Sequence, residues 1–100
     1  MHIFDDRERA FEHKWARDAE HRLRIRARRN RLLADWAVAE GDLTGNAAAD
    51  RARALMKKDY EPGGEHAFFS AIAEETGRDT AEIRGKAEEF ATQADSEVIV

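Results

Sequence analysis

Between Phe4 and Glu40 the chain holds neither proline nor glycine, and alanine, arginine, glutamate and leucine dominate it. Helix is the only regular structure such a composition supports over that length. Asp5 followed three residues later by Glu8 supplies an N-terminal capping pair, so the helix can start there. Phase then divides the run. Phe4, Phe11 and Trp15 fall on one narrow stripe of a helical wheel, and the next occupants of that stripe are Arg22, Arg26 and Arg29. Apolar character returns to it only at Leu33 and Trp36. The sequence therefore predicts two amphipathic units within one helical run, the first about twenty residues long and the second around Leu32, Leu33, Trp36 and Ala37. The arginine tract joins them.

After Gly41 the pattern is that of short helices with short connections. Asn46 is positioned to cap a second helix with Ala48, Ala52, Leu55 and Met56 on one face, and EPGG at 61–64 stops whatever follows Tyr60. A third helix from about Glu65 sets Phe68, Phe69, Ile72 and Ala73 at helical spacing and ends at Gly77, a favourable left-handed terminus. Asp79 with Glu82 forms a capping box for a fourth, whose buried side is Ile83, Ala87, Phe90, Ala91 and Ala94. The expected fold is all-α, a small antiparallel four-helix bundle.

Charge is distributed unevenly. The chain carries 17 basic and 21 acidic side chains, yet residues 1–33 have a net charge of +4 and residues 34–100 a net charge of −8. The basic end is concentrated in HRLRIRARRNRLL at 21–33, which contains Arg22, Arg24, Arg26, Arg28, Arg29 and Arg31 and no acid. Such a run attracts polyanions. The acidic remainder and the lack of a nucleic-acid motif disfavour a nucleic-acid binder, and a solvated face with intrahelical ion pairs is the plainer reading. A helical adaptor or nucleic-acid-associated protein using arginines 22–31 is the alternative function.

Catalytic and metal chemistry find little support. There is no cysteine, hence no thiolate metal site, and an intracellular, cytoplasmic location is expected. His13 and His21 are about 12 Å apart along a helix, too far to share a metal, and all four histidines read as surface groups. Glu74, Glu75, Glu88 and Glu89 occur as surface pairs, so no general acid and base face each other across a cleft. No glycine run precedes a lysine in a phosphate loop. The chain reads as a non-enzyme without cofactor, and its apolar stretches are too short for membrane insertion. The aromatic stripe remains open to two uses: packing onto its own bundle, or insertion into a groove on a partner.

FDDRERAFEHKWARD at 4–18, with ARRNRLL at 27–33 and then Trp36-Ala37, resembles the zeta-type inhibitor subunit of bacterial F-type ATP synthase. DYEPGGE at 59–65 is similar to that family's acidic Pro/Gly link. The resemblance implies a four-helix bundle over residues 21–100 with a mobile, partly helical N-terminal arm over 1–20. It also implies a partner, the catalytic head of the synthase with its alpha, beta and gamma subunits, which would hold the protein at the periphery of the inner membrane. The arm would block ATP hydrolysis by entering a catalytic interface. Carried over position by position, the partner-binding residues are Phe4, Asp5, Asp6, Arg7, Glu8, Phe11, Glu12, Lys14 and Trp15, the last where the family more often has Phe. Arg26 stands where an acid is common and Asp35 where glycine is frequent. The six arginines of 22–31 would then steer docking electrostatically.

Overall fold

The computed structural model describes residues 2–97, with side chains from Arg17 onward. Four helices, α1 (His2–Ala39), α2 (Gly45–Met56), α3 (Gly64–Thr76) and α4 (Thr80–Glu97), are joined by connections of three to seven residues. A 3-10 turn, Lys57–Tyr60, extends the end of α2. No strand occurs among the described residues, so the molecule is all-α as its composition requires.

Ion pairs across the helices give the direction of each element. Asp59, just past α2, meets Arg26 of α1, and Glu75 near the end of α3 meets Arg51 of α2. Arg78, just before α4, meets Glu40, whereas Glu97 at the end of α4 meets Arg28. The helices thus run alternately up and down, as short connections dictate, and α1 packs against the other three.

The core is assembled from one face of each helix. Leu33, Ala34, Ala37 and Val38 of α1 meet Ala52 and Leu55 of α2, Phe68, Phe69 and Ile72 of α3, and Ile83 and Ala87 of α4. Trp36 closes one side, its ring edge-on to Phe90 at 6.4 Å between centroids. Among the described residues one polar side chain, that of Asn30, is buried with them.

The helix ends follow local chemistry with one exception. Gly77 terminates α3 with φ 70°, its N–H donating to the Ala73 carbonyl at 2.8 Å. Asp79 caps α4 by accepting the Glu82 N–H at 2.8 Å. The exception is α2. Asn46 does not cap it; Thr44 is the extended N-cap residue, without a side-chain cap, and Gly45 opens the helix at φ 60°. A left-handed glycine turns the chain there directly, which moves the start ahead of Asn46.

Length is the feature of α1 that matters most. Its 38 residues span about 57 Å at 1.5 Å per residue, whereas the 18 residues of α4 span about 27 Å. Paired with Glu40 at one end, α4 reaches back along α1, among the described side chains, to His21, which faces Asp95.

Candidate functional site

Two groups of residues carry the functional expectations, and both lie on α1. The first is Phe4, Asp5, Asp6, Arg7, Glu8, Phe11, Glu12, Lys14 and Trp15. Their backbone belongs to α1, but their side chains lie outside those described, as does the Asp5–Glu8 capping pair.

The second group, the arginine tract, is described in full. Four of its six members are engaged inside the chain. Arg26 donates to Asp59 through Nε (3.1 Å) and Nη2, forming a fork on a carboxylate only 10% exposed. Asn30 adds a third donor to the same carboxylate, Nδ2 to Oδ2 at 3.0 Å. The amide oxygen of Asn30 in turn accepts from Arg29, through Nε at 3.0 Å and Nη2 at 2.7 Å. Arg29 continues outward to Glu65 at 2.7 Å, and its guanidinium lies 5.3 Å from the centre of the Phe69 ring. A buried amide thus links two ion pairs, and each of its hydrogen-bonding ends has a partner, as burial demands.

Arg28 reaches α4 and donates to Glu97 at 2.6 Å. That hydrogen bond raises the Arg28 pKa and lowers that of Glu97, which also accepts from Gln93. Arg26 is likewise raised above its ordinary value, chiefly by its hydrogen bond to Asp59. Arg31 pairs within α1 with Asp35 at 3.0 Å. Only Arg31 therefore makes the intrahelical pair that the plain surface reading anticipates; Arg26, Arg28 and Arg29 bridge elements. Arg22 and Arg24 are exposed and form no ion pair among the described residues. A phosphate backbone would have to displace existing carboxylates from most of this tract, which weighs against the nucleic-acid alternative.

His21 departs from the surface role expected of it. It is half-buried in the seam between α1 and α4, with Nε2 3.7 Å from Asp95 and Nδ1 enclosed without a hydrogen-bond partner. His66 is exposed; His2 and His13 lie outside the described side chains. Among the described residues no group of three or more histidines and acids could hold a metal, and no helix is long and apolar enough to cross a membrane.

Beside the Arg26–Asp59 pair lies an open hollow of about 270 Å³ walled by Leu23, Ala27, Met56 and Tyr60. Leu23 and Tyr60, two of the large apolar side chains most exposed to solvent, form its rim.

Asn30 and Asp59 are the site residues that sequence reasoning missed. For Asn30 a signal exists: it shares the helical phase of Leu33, Ala34 and Ala37, so an amide there is destined for the core and needs partners. Asp59 has no comparable mark, because its partners are 29 and 33 residues away.

Comparison with known proteins brings up no matching curated protein and no matching solved structure. The family model described as ATPase inhibitor subunit zeta, however, matches residues 1–97, which includes the arginine tract, its acidic partners and the whole N-terminal half of α1. With nearly the full chain matched, and with four helices in the expected places, this protein belongs to the ATPase inhibitor subunit zeta family.

Proposed function

We propose that the protein restrains ATP hydrolysis by F-type ATP synthase by inserting residues 1–20 into a catalytic interface of the head, formed by alpha, beta and gamma subunits. Residues 21–100 serve as the folded body. The observation that carries this reading is the family match, which spans the arm as well as the bundle. The length of α1 supports it, since its 38 residues exceed the 18 of α4, whose described side chains meet it between His21 and Glu40.

The inhibitor needs no chemistry of its own. A wedge in a gap that must close on every catalytic cycle stops turnover by occupancy. Phe4, Phe11 and Trp15 supply apolar anchors worth roughly 1.5–3 kcal/mol each when buried, with Asp5, Asp6, Arg7, Glu8, Glu12 and Lys14 supplying charged flanks. Fixing a free backbone costs about 1–2 kcal/mol per residue, so a segment continuous with α1 incurs less of that cost than an unstructured peptide. Electrostatic steering falls mainly to Arg22 and Arg24, whose charge is not matched by a carboxylate among the described residues. Docking on the head places the protein at the periphery of the membrane that carries the synthase.

Deletion of residues 1–14 tests the proposal against purified synthase. The truncated protein should keep its helical circular dichroism and cooperative melting while losing inhibition of ATP hydrolysis. Inhibition that survives the deletion removes the arm from the mechanism.

A further inference from the structure

We infer that Asp59 is a positioning residue for inhibition: by clasping Arg26 and Asn30 it fixes the direction in which α1 leaves the bundle. The inference rests on the function proposed above. Asp59 sits in the 3-10 turn, outside α1, and receives three hydrogen bonds from two successive turns of that helix. A guanidinium fork on a carboxylate constrains orientation as well as distance. The clasp continues through Asn30 and Arg29 to Glu65 in the first turn of α3, so α1 is held from two neighbouring elements. Gly64, the first residue of α3, packs beside the clasp with φ 47°, a left-handed conformation that glycine takes without strain.

Location gives the clasp leverage. It holds α1 close to His21, the most N-terminal of its described side chains to pair with another element, with Phe4 roughly 33 Å further along the helix at 1.5 Å per residue. A tilt of about 10° at Arg26 would carry Phe4 aside by roughly 6 Å, more than a wedge into a protein interface tolerates. A comparable pair, Arg51 with Glu75, ties α2 to α3. The two pairs therefore separate holding the bundle together from aiming its longest helix.

The test compares Asp59→Asn, the exchanged pair Arg26→Asp with Asp59→Arg, and Glu75→Gln, each in the full chain. Half-inhibition of the synthase, the urea midpoint of the free protein, and amide hydrogen exchange across residues 22–30 are measured. Loss of one charge-assisted contact of this kind should raise the half-inhibitory concentration of Asp59→Asn about tenfold and speed exchange in 22–30 by a similar factor. The exchanged pair restores the ion pair but not the Asn30 hydrogen bond, a guanidinium having no acceptor, so it should recover part of both. Glu75→Gln should lower the urea midpoint without changing half-inhibition. Should Asp59→Asn fail to fold, Arg26→Gln, on the more exposed side of the pair, carries the same expectations. Unchanged exchange overturns the clasp whatever happens to inhibition, and equal weakening by Glu75→Gln overturns its special role. A wild-type protein that does not inhibit overturns the function proposed above, and positioning with it, while leaving the exchange result to report on the clasp.

Discussion

Phe68 shows how directly some residues declare their place. It is fully buried, its ring 5.9 Å from that of Phe69, among side chains drawn from all four helices. Phe68→Ala should cost about 3–5 kcal/mol, a large share of the roughly 5–15 kcal/mol that holds a domain together, and a urea titration would register it as a large fall in midpoint. Leu33, Ile72, Ile83 and Ala87 are legible for the same reason: hydropathy and helical phase both point inward. Asn30 is equally buried but reads as a break in the pattern, since its place depends on Asp59 and Arg29 being present to satisfy the amide. Phase marks it for the core; no local rule supplies its partner.

Helix boundaries separate what neighbouring residues can decide from what they cannot. Asp79 and Glu82 stand at capping spacing, and the carboxylate of Asp79 does accept the Glu82 N–H. The Glu82 side chain, though, turns to Arg78 at 3.2 Å, so only the forward half of the expected box is observed. Asp79→Ala should therefore destabilise the fold by about 0.5–2 kcal/mol, measurable as a lower melting temperature with α4 still helical. At α2 the same kind of local reasoning chose Asn46, because the left-handed conformation of Gly45 is not visible in residue spacing. The arginine tract divides in the same way. Its position on α1 and its coincidence with the aromatic stripe are legible, and the Arg31–Asp35 pair follows from spacing four apart. The carboxylates that take up Arg26, Arg28 and Arg29 arrive from the 3-10 turn, α4 and α3, and only the packed bundle brings them there.

Across the whole molecule, charge and topology are coupled: the basic front end of the chain is held to its acidic remainder by Arg26–Asp59, Arg28–Glu97 and Arg29–Glu65, while Arg78, just before α4, reaches Glu40 just past α1. Arg28 holds the Glu97 carboxyl below its ordinary pKa, and Arg78 does the same to Glu40. A carboxyl whose pKa is depressed by folding binds protons more readily in the unfolded chain, so acid favours unfolding. The contribution of these two pairs should be intact above the ordinary glutamate value of about 4.3 and disappear as pH falls through the depressed folded values. A melting temperature that is flat from about pH 8 to 5 and declines below about 4.3 is the expected profile. Both carboxylates are solvent-facing, so Glu40→Gln with Glu97→Gln should change the melting temperature little near neutral pH and make the acid decline shallower. An equally steep decline in that double variant would assign acid sensitivity to other carboxylates. Because Arg28–Glu97 ties the last turn of α4 to α1, its opening in acid should also speed amide exchange at residues 21–28 earlier in the titration than in the core of α3.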